Sequence, residues 1–455
     1  MSANRPRFSR FDVIVWLTLL ALAGAIGSFL WRGDRVGVQI LEVYPAGNAA
    51  QVSTKARVSV LFSEEITGTA DVFSLTPPVS GTVRFQGRWL EFDPDVPLQP
   101  DTVYTASLAA RLTSVNGRSL PAPFNWSFRT AAPHVLYVAG GEQDYLQLFK
   151  TPLVGGAPTQ LTTEPYGIWD FALSPDGTVI VYAAAAANEQ KDLWLIRPDG
   201  SDRRRLLDCE ENSDCTAAVW SPDGKRLIYE RRDLVMGASS LVPARLWWYD
   251  LVSGQTAPVF QEKERVGHSA SWSADGRWLS YISPLKEGLQ IYDIETGDDY
   301  VIPGEVQDAA AWSPTEPVLI VTKARVSSNG YGAGLLRADM RSGSYTELNG
   351  ESDASDTSPA WSPDGQWVAF RRSTLTGPGG QLWLMRADGS ESRPLTGDPQ
   401  YENASPAWSS DGRLIVYQRF SLDEVYTAPE IWLLNLETNE NRQVIKPGAW
   451  PVYLP

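Results

Sequence analysis

The chain has 455 residues, which at roughly 150 residues per domain allows about three folding units, each able to bury its own core. Hydrophobic residues make up 43% and aromatics 11%, which excludes general disorder, and 37 Gly and 32 Pro against 4 Met favour turn-rich β structure. The net charge is −15: residues 1–35 carry +3 and the remainder −18, a body too acidic to neutralise nucleic-acid phosphates.

Residues 11–31, FDVIVWLTLLALAGAIGSFLW, form an apolar run with Asp12 as its one charge. At 1.5 Å per residue such a helix covers about 30 Å, so the sequence predicts a transmembrane signal-anchor. Arg5, Arg7 and Arg10 precede it, placing residues 1–10 in the cytoplasm and 36–455 outside by the positive-inside bias. Ala21-Leu22-Ala23 leaves a cleaved signal peptide as the competing reading.

From 38 to 131 short alternating strands are predicted. Val58, Val60 and Phe62 share a face, as do Leu90 with Phe92, Tyr104 with Ala106 and Leu108, and Trp126 with Phe128. About 95 residues of this kind point to a β-sandwich. Tyr44-Pro45-Ala46-Gly47, Val60-Leu61-Phe62-Ser63-Glu64, the run 98–105 and the closing Trp126-Ser127-Phe128-Arg129-Thr130 resemble the bacterial Ig-like module of the SbsA type. That resemblance implies a spacer or adhesion unit and brings no enzymatic residues.

Residues 134–455 are governed by a repeat. Its core is Trp-Ser-Pro-Asp-Gly: Leu173 to Gly177, Trp220 to Gly224 with Asp223, Trp272 to Gly276 with Asp275, Trp312 to Glu316, Trp361 to Gly365 with Asp364, and Trp408 to Gly412 with Asp411. The serines lie 47, 52, 40, 49 and 47 residues apart, matching a four-stranded propeller blade. Pro presets φ, Asp accepts local N–H groups, Gly takes a positive φ, and Trp fills the wedge between blades, so the motif is structural. The copy at 312–316 has Thr315-Glu316 in place of Asp-Gly, so its turn must differ. The pattern resembles the TolB-like propeller repeat. Six motifs give six units, but residues 134–163 supply three further strands and the tail 448–455 supplies a fourth, so seven blades closed by the C-terminal strand are expected over six.

Cys209 and Cys215 flank a short acidic loop and are predicted to form a disulfide in an exported protein. In a propeller the long B–C loops and D–A connections share one face, where binding is expected. The D–A connections carry Glu164, Asp208, Glu210, Glu211, Asp214, Glu262, Glu264, Glu305, Asp308, Glu351, Asp353, Asp356, Asp398 and Glu402 against Lys263 and Arg265. This predicts an acidic mouth, read either as a solvated loop set or as a site for a cationic partner or Ca²⁺. The candidate binding residues are Glu351, Asp353, Asp356, Asp398 and Glu402, with Tyr166, Tyr331, Tyr401 and Tyr426 for contact area.

Two histidines, His134 and His268, are too few for zinc chemistry or for metal-dependent propeller lyases, and Gly267-His268-Ser269-Ala270-Ser271 falls short of a Gly-x-Ser-x-Gly nucleophile motif. No catalytic residue, resident metal or other cofactor is therefore expected. The sequence reads as a non-catalytic, membrane-tethered binding or scaffold protein whose propeller holds a protein, peptide or envelope polymer. The alternatives are a carboxylate-based glycosidase or lyase, or a sensor ectodomain acting through a membrane partner.

Overall fold

The computed structural model describes residues 10–33, 37–50, 52–141, 144–210, 212–233, 242–327, 330–348, 354–374, 377, 379–423 and 428–454, with helix side chains at 15–28. The chain divides into two compact units, the first ending at Thr130 and the second holding residues 131–455.

A helix covers Arg10–Gly33. The membrane anchor, and the single-pass location built on it, are corrected here: among the described residues no helix is long and apolar enough to cross a membrane.

The Ig-like unit has a four-stranded sheet, in the order Ile40–Tyr44, Val58–Phe62, Trp89–Pro94 and Gly81–Gln86. A three-stranded sheet is made by Phe73–Thr76, Val103–Leu108 and Phe124–Arg129. Alternation puts Val58, Val60, Phe62, Leu90 and Phe92 into one core with Tyr104, Ala106, Leu108, Trp126 and Phe128. The Trp126 indole N–H donates to the Pro45 carbonyl at 3.0 Å, so the buried ring leaves no orphan donor.

The second unit is built from seven four-stranded antiparallel sheets. Sheets 2 to 7 begin with Ile168–Leu173, Ser213–Trp220, His268–Trp272, Ala311–Trp312, Ala354–Trp361 and Tyr401–Trp408, each taking four consecutive strands. Sheet 1 instead combines His134–Gly140, Leu146–Pro152 and Thr159–Gln160 with the C-terminal strand Ala449–Leu454, which pairs His134↔Leu454 through Val138↔Ala449. Seven separate apolar clusters lie one between each sheet and the next. Val181, Cys215 and Tyr229 bridge sheets 2 and 3, for example, while Tyr137, Val416 and Tyr453 bridge sheets 7 and 1. No sheet buries both faces without its two neighbours, so the ring is held by side-to-side packing. First strands of successive sheets lie against one another and are therefore innermost.

The repeat motif makes the turn from first to second strand. Each motif serine donates to its aspartate at 2.5–2.7 Å, as in Ser221–Asp223 and Ser362–Asp364. The same serine Oγ accepts the N–H five residues on at 2.9 Å, and the aspartate accepts the N–H two residues on. Gly224, Gly276, Gly365 and Gly412 take φ between 69° and 74°, which a side chain would strain. The motif tryptophans also clip sheets together: the Trp220, Trp361 and Trp408 indoles donate to the carbonyls of Ala172, Ala311 and Ala360 in the preceding sheet. Trp272 Nε1 has no partner. At the divergent copy, Ser313 N–H still closes the turn on the Val318 carbonyl at 2.7 Å.

Cys209 and Cys215 are joined in a disulfide, buried between sheets 2 and 3. A second repeated device holds the long connections. Thr162 donates to Gln147 Oε1 while Gln147 Nε2 donates to the Glu164 carbonyl, and Thr396 with Gln381 repeats the clasp on the carbonyls of Asp398 and Tyr401.

Candidate functional site

Of the eleven described acids on the acidic connections, seven find cations that lie outside those connections. Glu164, 5% exposed, takes Arg203 at 2.7 Å and the Tyr182 hydroxyl at 2.8 Å. Asp208 pairs with Arg205, Glu210 with Arg231, and Asp214 with Lys191. Asp356 is clamped through both oxygens by Arg372 at 2.7 and 3.0 Å, Asp398 takes Arg419 at 2.7 Å, and Glu402 pairs with Arg371. Counting charge over the connections alone therefore overstates the field at the mouth. The balancing residues sit mainly on the second and fourth strands, where Arg231, Arg371, Arg372 and Arg419 follow or nearly follow buried Tyr or Phe positions.

Among the candidate tyrosines, Tyr401 lies under the Arg419 guanidinium at 3.5 Å, Tyr166 meets Tyr145 edge-on at 6.2 Å, and Tyr331 is exposed. Glu351, Asp353 and Tyr426 lie outside the described residues. Among the described residues no group of three or more His, Cys, Asp and Glu side chains is placed to hold a metal ion.

The structure draws attention instead to residues that sequence reasoning passed over. Several innermost strands carry a bulge: Ala217, Ser269, Ser358, Ser405 and Trp450 have φ between 49° and 53° where the register slips. Three of these bulged N–H groups are taken by a side chain of the preceding sheet, each at 2.8 Å: Ala217 by Asp170 Oδ2, Ser269 by Glu230 Oε1, and Trp450 by Gln418 Oε1. Trp169 is itself out of register between Ile168 and Asp170. The rings of Trp169 and Trp450 are 60% and 44% exposed on neighbouring innermost strands.

Asp170 and Glu230 differ from the paired acids around them. Among the described residues neither has a Lys or Arg nitrogen within 4.0 Å, and their close bonds are to backbone N–H groups. Burial pushes the Asp170 carboxyl up to about 6, with the Ala217 N–H opposing and the Glu230 charge adding to the rise. Burial likewise raises Glu230, against the Ser269 N–H. A carboxyl near 6 can exchange a proton close to neutral pH, and uncompensated buried acids concentrate at functional sites. Beside them, His268 Nδ1 lies 3.0 Å from Ser269 Oγ, and burial, aided by Arg232, holds the imidazole below its usual value.

A signal for Asp170 was present in the sequence. Three residues before the motif's first position the other copies have Ala217, Ser269, Ala309, Ser358 and Ser405, and this one has an acid. Likewise, the residue after the buried second-strand aromatic is Ala183, Arg371 or Gln418 elsewhere and Glu230 here.

The fold and its turns define a bacterial Ig-like domain followed by a TolB-type β-propeller. In agreement, residues 34–130 match the family described as bacterial Ig-like domain and residues 245–446 the family described as TolB beta propeller domain. Among curated proteins, the chain is 32% identical over 209 residues to an uncharacterized peptidase, YuxL, of Bacillus subtilis, covering 45% of this chain and 29% of the relative. It is 23% identical over 222 residues to dipeptidyl-peptidase 5 of Porphyromonas gingivalis, covering 46% and 30%. The chain thus spans about a third of the length of these relatives. Among solved structures, a puromycin hydrolase shares the fold at a TM-score of 0.55 and 18% identity, over 70% of this chain and 52% of that one. These findings overturn the expectation of a non-catalytic scaffold: the named curated relatives are peptidases.

Proposed function

We propose that this protein works in peptide hydrolysis, its seven-bladed ring, closed by the C-terminal strand, receiving the peptide at the end marked by Trp169, Asp170, Glu230 and Trp450. The observation that carries this reading is the similarity to two peptidases over 209 and 222 residues. The unpaired carboxylates and exposed indoles at that end support it, because a peptide offers both charge and apolar surface. For attack on a peptide carbonyl the pair at hand is Ser269 with His268, whose Oγ and Nδ1 are in hydrogen-bond contact. Among the described residues no carboxylate bonds the second nitrogen of that imidazole, so the pair lacks the group that would orient it.

The test uses the full chain with a panel of fluorogenic peptides, reading bound peptide by anisotropy and new amines by fluorescamine. Peptide binding with release of amines supports the reading. Loss of amine release in Ser269→Ala with binding kept assigns attack to this pair, whereas unchanged release restricts the site to holding the peptide. Absence of both binding and release would refute the proposal.

A further inference from the structure

Resting on the peptide-receiving reading, we infer that the channel end between sheets 1 to 4 is selective for a peptide segment carrying a lysine or arginine side chain. The indoles of Trp169 and Trp450 would pack its alkyl stem, and Asp170 and Glu230 would take its charge.

The argument begins with electrostatics. At this end of the ring the neighbouring acids Glu164, Asp214, Asp356 and Asp398 each hold a cation within 3.1 Å. Among the described residues Asp170 and Glu230 hold none. Glu230 is 8% exposed and its Oε1 accepts the Ser269 N–H at 2.8 Å, while among the described residues no donor reaches Oε2. An ionised oxygen in that position is costly unless something charged reaches it. The cations nearby do not: the Lys191 ammonium bonds Asp214 at 3.1 Å and sits 5.0 Å above the Trp169 ring, while Arg232 acts on Glu230 only from beyond contact. Asp170 and Glu230 each accept a bulged N–H of the next sheet's innermost strand at 2.8 Å, Ala217 and Ser269 respectively, and one incoming cation would relieve both carboxylates.

The apolar half of the site gives the class of ligand. Trp169 leaves most of its ring free, although it stands on an innermost strand. Lys191 above it already shows that the indole accepts an ammonium against its face. A lysine or arginine side chain joins three or four methylenes to a cation, so one residue can cover an indole and reach a carboxylate. A bare metal ion or a simple amine would leave the indoles wet.

The test measures binding of three neutral-flanked pentapeptides to the full chain by intrinsic tryptophan fluorescence. The first is blocked at both ends with a central arginine, the second is the same peptide with citrulline, and the third is the citrulline peptide with a free N-terminus. The blocked arginine peptide is expected to bind at least about tenfold tighter than blocked citrulline. Glu230→Gln, whose amide oxygen still accepts the Ser269 N–H, and Asp170→Asn should each remove about tenfold of that preference, read as the ratio of the arginine to the citrulline affinity. Trp169→Leu should weaken both peptides, and an unchanged melting profile certifies each variant as folded. Equal affinity for the two blocked peptides overturns the selectivity while the peptide-receiving reading stands. Tight binding of only the free-amine peptide overturns it in favour of N-terminal capture. If no peptide binds, both fall.

Discussion

Asp170→Asn offers a sharp test of the reasoning about the channel acids, because the wild-type residue should weaken the fold where it serves the site. The unfolded carboxyl titrates near 3.8 and the folded one is pushed up to about 6. Between those values the folded state binds more protons than the unfolded state, so stability falls as pH rises through the window and is flat above it. At roughly 1.4 kcal/mol per pH unit the full effect would be about 3 kcal/mol, and the side chain's partial exposure to the channel reduces this to about 1–2 kcal/mol. Asparagine keeps the oxygen that accepts the Ala217 N–H and carries no charge. Urea unfolding of the propeller transition should therefore show the variant more stable than wild type by about 1–2 kcal/mol at pH 7.5, with the gap closed at pH 4. A variant less stable at pH 7.5, or a gap that does not change with pH, would refute the argument.

Other outcomes follow from the same structure. Asp364→Ala removes the acceptor for Ser362 Oγ and the Gln366 N–H and should lower stability by about 1–2 kcal/mol without altering peptide binding, checked by denaturant midpoint and anisotropy. Arg372→Leu strands the buried Asp356 carboxylate and should cost about 3–5 kcal/mol by the same unfolding measurement. Reduction of Cys209–Cys215 frees a loop of sequence separation 6 and should cost about 2 kcal/mol, read from melting with and without reductant. Deleting residues 449–455 removes the innermost strand of sheet 1 and should abolish the cooperative propeller transition in calorimetry, leaving the Ig-like transition in place.

What was legible in the sequence was whatever repeats. Trp-Ser-Pro-Asp-Gly states its own chemistry, and the structure shows the serine, aspartate and glycine in the roles that chemistry assigns. The incomplete first unit and the tail at 448–455 are complementary in strand content, which is why the pairing of His134–Gly140 with Ala449–Leu454 could be anticipated. The charge reading fell short for a spatial reason. Acids were counted along connections, while Arg231, Arg371, Arg372 and Arg419 reach them from strands, a proximity created only by the fold. Asp170 and Glu230 escaped notice because each lies inside a strand and looks like an interruption of an apolar pattern. Only the bulged N–H groups of Ala217 and Ser269 explain their positions. The likeness to peptidases lay beyond composition, since a histidine count says little about what a chain is similar to.

The most direct measurement is an anisotropy titration of the full chain with the labelled, end-blocked arginine pentapeptide, alongside an amine-release assay on the same samples. Saturable binding that Glu230→Gln weakens about tenfold, accompanied by peptide turnover, is the predicted result. A flat titration with no amine released would contradict the account.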